Sequence, residues 1–492
     1  MVTHFGTLNY VVVIAYMCFI AVIGSLFYQR NATARDYFLG GRSMSWLPVG
    51  ISIIAADLSA ISVMGTPAWS YGHNWELLWS STPYPLVAPI VIIVFIPFFT
   101  KLNLYTAYEY LEVRFNLPVR LLASALFQML RGIHVALVIY APSLVVNLVT
   151  GLPVWECIVF IGLFTTFYTT LGGMKAVIWT DFIQFLTVMG GLITVAIIAC
   201  TKVQVNFHTA VAAAREAGRL KLFNFSTNPS ELTSFWAGMI GGAVLCIAPL
   251  TSDQAILQRI FTTKSVKDAN QSIILQSILV IPVTVLLFFV GTTLFAFYHF
   301  HPDRLAGLNS SDAILPFFAV RELPVGISGL IIASIFAATM SVMSAGINSL
   351  TTATTVDFYQ RLVRPDATPE HYAVVGRMGT ICWGVFVTGL AFFAKYLGAL
   401  ALAYVRASSV ISGPLLGIFL LGMLSKRTTS AGALLGALAG GAAVVYISLA
   451  TTWSFFWLGP IGVAVTLLVG SMISPLTAAN PQEKIRGLVM GS

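Results

Sequence analysis

Charge is what this chain has least of. Only 9% of its 492 residues are Asp, Glu, Lys or Arg, against about a quarter in soluble domains. Long polar stretches are also missing, so nothing between the apolar runs is large enough for a soluble domain of ordinary size. The apolar runs lack the polar–apolar alternation of a transmembrane β-barrel strand. Cysteine is sparse: Cys18, Cys157, Cys200, Cys246 and Cys382 lie in or beside apolar runs. They show neither metal-ligand spacing nor a disulfide framework and read as free thiols. The first apolar run has no basic residues before it and no small-residue cleavage site after it, so it is expected to be retained as a helix. The net charge of +8 does not call for nucleic acid. In a membrane protein, excess Lys and Arg collects in the cytoplasmic loops.

What the chain does have is runs of about 20 apolar residues, each long enough to cross the hydrocarbon as a helix. These predict an all-α polytopic membrane protein. Thirteen crossings are expected, near 8–28, 46–72, 76–99, 121–149, 153–171, 177–200, 234–257, 272–298, 325–351, 374–394, 398–422, 429–450 and 454–474. Seventeen basic residues then fall in the loops of one side and seven in those of the other. That bias predicts the N-terminus outside and the C-terminus inside, most simply in the plasma (inner) membrane. An odd number of crossings agrees with it. In the longest loop, about 201–233, "HTAVAAAREAGRLKLF" reads as an amphipathic surface helix.

Ionisable groups inside a span are functional candidates, because hydrocarbon penalises them heavily. Here they are Asp57, Arg131, His134, Asp181, Asp253 and Arg406. They lie on five different spans, which suits a shared polar cavity better than one isolated ion pair. Pairing that merely fixes helix packing is the competing role, above all for Asp181 and Asp253 at span ends. Two spans carry helix breakers: Gly65 and Pro67 in the second, and Gly238, Gly241, Gly242 and Pro249 in the seventh. Interrupted helices at matching places in two halves point to an inverted-repeat transporter, although a plain proline kink is common in membranes. In the ninth span Ser341, Ser344 and Asn348 share one helical face with Ala338. In the second, Ala55, Leu58, Ser59 and Ser62 do the same. Such faces serve helix packing and also suit a hard cation such as Na⁺, which prefers oxygen ligands.

The stretches "DYFLGGRSMSWLPVGIS", "TAYEYLEVRF", "GGMKAVIWTDFIQF", "SDQAILQR", "FAATMSVMSAGINS" and "SGPLLGIFLLG" resemble the sodium/solute symporter family, from about residue 8 to residue 430. The resemblance implies a five-plus-five inverted repeat with broken first and sixth core helices. Its parts would be an extra N-terminal helix and loop (1–45), a first repeat (46–200), an outer loop (201–233), a second repeat (234–425), and two C-terminal helices with a short inside tail (426–492). It also implies Na⁺-coupled symport by alternating access, with no cofactor beyond the coupling ion.

By position, the resemblance carries cation binding to Ala55, Leu58, Ala338 and Ser341, and a second sodium site to Asp181 and Ser344. Val342 and Ala345 stand where hydroxyl residues are usual. Asp57 resembles an aspartate linked to sodium in the proline branch. It would supply charge near the cation and offset the oxygen lost at Val342, which requires the first core helix to unwind at Ala55–Ser59. Substrate contacts carry over to Ser59, Ser62, Ser81 and His134, with Arg131 or Arg406 available for a carboxylate, and Asp253 beside them. Pro249 replaces an aromatic gate residue of sugar-transporting members. The resulting expectation is a small organic anion, a monocarboxylate or sugar acid, with a neutral sugar as alternative. Proton coupling through Asp57 or Asp181 is a rival. A membrane sensor is a more distant one, because the tail "SPLTAANPQEKIRGLVMGS" leaves no room for a signalling domain. No nucleophile–base pair lies within a span, so an enzyme is not expected.

Overall fold

The computed structural model describes residues 5–27, 33–205, 207–308, 310–397, 400–477 and 485–490, with the side chains of 149, 207 and 397–407 excepted. Among them the regular structure is helical, apart from one bridge between Met44 and Thr263. The elements used below are α1 (Thr7–Ser25), α2 (Trp46–Asp57), α3 (Ala60–Gly72), α4 (Glu76–Lys101), α5 (Leu117–Thr150), α6 (Val154–Lys202), α7 (Phe207–Glu216), α8 (Ala237–Ser252), α9 (Gln254–Phe261), α10 (Val266–Phe300), α11 (Ile327–Val363), α12 (Pro369–Ala391), α13 (Leu400–Leu424), α14 (Ser430–Ala450) and α15 (Leu458–Ile473).

Nine of the described helices are long and apolar enough to cross a membrane, or eleven when the bent pairs α2–α3 and α8–α9 count as one crossing each. At 49 residues, α6 would measure about 74 Å if straight, more than twice the roughly 30 Å of hydrocarbon. It breaks at Gly173, where φ is 60° and ψ −166°, a backbone setting reserved for glycine. It therefore supplies two crossings. The sequence expectation of a short loop near 172–176 is thus corrected to a turn at a single residue. With α13 included, every expected crossing has a helix. The amphipathic expectation in the long loop is met by α7.

Local signals fix the helix starts. Asn116 accepts from Val119 N at 3.2 Å and Pro118 sits in the first turn of α5. Ser265 and Thr368 cap α10 and α12 in the same way. In the apolar window of α11 94% is buried, against 28% for α1 and α14. The hydroxyl-rich helix is therefore the centre of the bundle, while α1 and α14 turn apolar side chains such as Ile14, Phe19, Tyr446 and Leu449 outward. Gly432, Gly436 and Gly440 of α14 lie against the backbone of α15, the close approach that small residues permit between membrane helices. Gly291 of α10 likewise packs on the Pro67 carbonyl of α3. Gly291→Val is expected to force the two helices apart at a cost of about 1–3 kcal/mol, read as a lower unfolding midpoint of the detergent-purified protein.

Candidate ion and substrate site

The two bends are 63° between α2 and α3 and 52° between α8 and α9. The first falls in the Ala55–Ser59 stretch expected to unwind, and the second falls past the glycines and proline of the seventh span. Gly65 and Pro67 lie inside α3, and Pro249 lies inside α8. The breaks sit instead at Leu58 (φ −82°, ψ 77°) and Asp253 (φ −93°, ψ 114°). Each is made by a capping side chain. Ser59 accepts from Ser62 N at 3.3 Å, and Asp253 accepts from Ala255 N at 2.8 Å. A polar residue that starts a new helix interrupts the old one as surely as proline.

The first break strands two carbonyls. In an unbroken helix Ser59 N would bond the Ala55 carbonyl and Ser62 N the Leu58 carbonyl. Here Ser59 N donates to the Asp57 carbonyl at 3.0 Å, and Ser62 N goes to Ser59 Oγ. The Ala55 and Leu58 oxygens are left without their helical donors, at a membrane depth where that is tolerated only against a polar site. The central helix α11 packs against α2, and Ser341 of α11 and Ser52, three residues before Ala55 on α2, meet on the same carboxylate, Asp181.

Asp181, fully buried on α6, joins three elements. It accepts from Ser341 Oγ of α11 at 2.8 Å, from Ser52 Oγ of α2 at 2.6 Å, and from the Arg259 guanidinium of α9 at 2.8 Å. Arg259 Nε also donates to Ser52 Oγ at 2.8 Å. Ser344 Oγ is turned to the Ser341 carbonyl at 3.0 Å. Val342, next along α11, is buried and has no hydroxyl to add.

A cavity of about 280 Å³ opens beside the first break. Asp57, Ser62, Ser81 and Tyr84 line one side, and Gln276, Thr284 and Pro249 the other. Asp57 shares no hydrogen-bond partner with the Asp181 cluster among the described residues. It lines the cavity and accepts from Tyr84 OH at 3.2 Å. The local unwinding it required is present, but its carboxylate is turned to the cavity.

Several expected substrate contacts lie elsewhere. Ser59 is a buried helix cap outside the cavity lining. Arg131 forms an ion pair with Asp253 and approaches His134 Nδ1 at 3.1 Å. These three tie α5 to the second break and are not in the lining. The Arg406 side chain lies outside the described residues, although Ser408, two residues on, reaches the cavity.

The sequence reading missed Arg259, Ser52, Tyr84 and Gln276. Arg259 had been counted as a loop charge, yet it is fully buried. A signal was there: it follows Asp253 by six residues at the end of a broken span. The half-helix α9 is further held by Gln254, bonded to Tyr105 and Ala107, and by Gln258, bonded to Asn348 at 2.7 Å. Nearby, outside the spans, burial pushes the Glu112 carboxyl up, but hydrogen bonds from Arg361 and Arg120 outweigh it and hold the carboxyl below its usual range.

Two bent helices around a polar cavity, with stranded carbonyls beside a hydroxyl-rich central helix, define a secondary active transporter that uses a small cation. Residues 37–440 match the sodium:solute symporter family. The chain is 34% identical to the sodium/sialic acid symporter SiaT of Proteus mirabilis, over 97% of each chain. It is 32% identical to the human sodium-coupled monocarboxylate transporter 1, over 90% of this chain and 73% of that one. The solved substrate-bound, outward-open structure of a Na⁺-coupled sialic acid symporter superposes with a TM-score of 0.90 at 32% identity, covering 97% of this chain and all of that one. The protein belongs to the sodium:solute symporter family and is an integral membrane, sodium-coupled symporter.

Proposed function

We propose that sodium binds between the Ala55 and Leu58 carbonyls on one side and the Ala338 carbonyl and Ser341 hydroxyl on the other. The solute then occupies the cavity walled by Asp57, Ser62 and Ser81. The observation that carries this reading is the pair of carbonyls whose amide donors were diverted at the break. The core is taken as two halves, 46–200 and 234–425, in the plasma (inner) membrane with the N-terminus outside. Relatives named for sialic acid and for monocarboxylates support a small organic solute.

Asp181 and Ser344 serve as the wall behind this ion. With Ser52, Arg259 and Ser341 on its oxygens, Asp181 positions Ser341. Release at the arginine-rich end requires α9 to leave Arg131, Asn348 and Asp181, so these bonds keep that end closed while the solute binds. The membrane potential adds about 2.3 kcal/mol per charge per 100 mV to the driving force. Uptake into proteoliposomes tests the reading, with a panel of sugars, sugar acids, carboxylates and amino acids. A sodium gradient should drive accumulation of at least one solute. Accumulation under an acid gradient without sodium would transfer the coupling to protons, and none under either gradient would sink the proposal.

A further inference from the structure

The carboxylates within the crossings are treated unequally. Asp181 is paired with Arg259, Asp253 with Arg131 and Asp357 with Arg120. Asp57 has no ion pair among the described residues. Its carboxylate accepts a 3.2 Å hydrogen bond from Tyr84, a neutral phenol. The rest of the described cavity lining is hydroxyl, amide and apolar, with no Lys, Arg or His. A carboxylate kept at membrane depth demands a compensating charge. The three other aspartates obtain theirs by direct contact. Arg131 and Arg259 act on Asp57 only through space, being paired with Asp253 and Asp181, and Asp57 faces the space that the solute enters.

Taking that cavity as the solute site, we infer that the transported solute carries a protonated nitrogen, which Asp57 receives. Ser62, Ser81 and Gln276 then complete its hydrogen bonds. A small carboxylate lacking such a group would place a second negative charge in about 280 Å³ beside the first. Asp57 is thus the specificity residue, selecting ammonium-bearing solutes, including zwitterions, over simple anions. The cation-bearing partner is the solute itself; a further sodium ion in the cavity is the outcome that would replace it.

The test reads the field of the cavity and does not require the natural solute. Ser62→Cys is labelled in proteoliposomes with a cationic and an anionic methanethiosulfonate of similar size, and the rate in the parent protein is subtracted. Relative to the same ratio on a free thiol in solution, the cationic reagent is expected to gain at least tenfold. Adding Asp57→Asn should remove that gain. Ser81→Cys, on the same wall but another helix, repeats the measurement if Ser62→Cys does not fold.

In parallel, alanine and lactate are compared as competitors of sodium-driven uptake, being near-isosteres that differ in ammonium against hydroxyl. Alanine should compete better by tenfold or more, with the gap lost in Asp57→Asn. Equal or faster anionic labelling overturns the inference, and so does a preference that survives Asp57→Asn. If Asp57→Asn lowers the sodium Hill coefficient by about one and leaves solute selectivity alone, sodium occupies this carboxylate and the inference falls. Absence of any sodium-driven uptake would instead sink the symport reading, and the labelling result would still stand.

Discussion

Asp181→Leu is expected to lose about 3–5 kcal/mol of stability, because it leaves the Arg259 guanidinium buried and unpaired. Both side chains are essentially inaccessible, at 0% and 1% exposed, so water cannot substitute for the missing partner. The double variant Asp181→Leu with Arg259→Leu should recover most of that loss, since two well-packed apolar side chains replace a pair whose desolvation offsets its attraction. Unfolding midpoints of the parent, the single and the double variant in detergent check this. A double variant no better than the single would mean that Ser52 and the Ala255 carbonyl hold Arg259 without the carboxylate.

Ser341→Ala is expected to raise the sodium concentration for half-maximal uptake by about tenfold or more. The hydroxyl bonds Asp181 at 2.8 Å and, in the proposed site, offers its oxygen to the ion. An interaction with a charged group is worth about 1.5–3 kcal/mol, and 1.4 kcal/mol is a factor of ten. Because binding of ion and solute is reciprocally coupled, the solute affinity should fall at low sodium and return at saturating sodium. Ser344→Ala should do less, since that hydroxyl is turned to the Ser341 carbonyl at 3.0 Å. Equal effects of the two would place a second ion at Ser344.

The crossings were legible because burial in lipid is written as uninterrupted apolar runs. The kind of helix was legible too: the hydroxyl face of Ser341 and Ser344 marked the buried centre. Of the two breaks, the one at Ala55–Ser59 was legible through the family resemblance and the one at Asp253 was not. Gly65, Pro67 and Pro249 looked like breakers, yet a membrane helix absorbs them, and the interruptions came from the caps Ser59 and Asp253. Charge misled in the same way. Arg114, Arg120 and Arg259 read as loop charges, but they are 0%, 3% and 0% exposed. The partners that bury them include the Gly422 and Ser425 carbonyls, Asp357 and Asp181, each more than 70 residues distant in sequence, with Glu112 as a near neighbour of Arg120. Hydropathy sees each residue alone, so it cannot register a charge whose partner folding supplies. The same limit hid the orientation of Asp57 toward the cavity.

The Ser59 cap has a consequence for speed. The chain closes the α2–α3 junction with its own side chain, so sodium has no helix to wind when it arrives. The entropy of fixing the junction is spent once, at folding, and is not spent again in each turnover. In the proposed site the ion would meet a preorganised pair of oxygens, and its association would be governed by encounter and by shedding of water. On the proposed cycle the slow step is expected at α9, whose departure must undo hydrogen bonds to several neighbouring elements together.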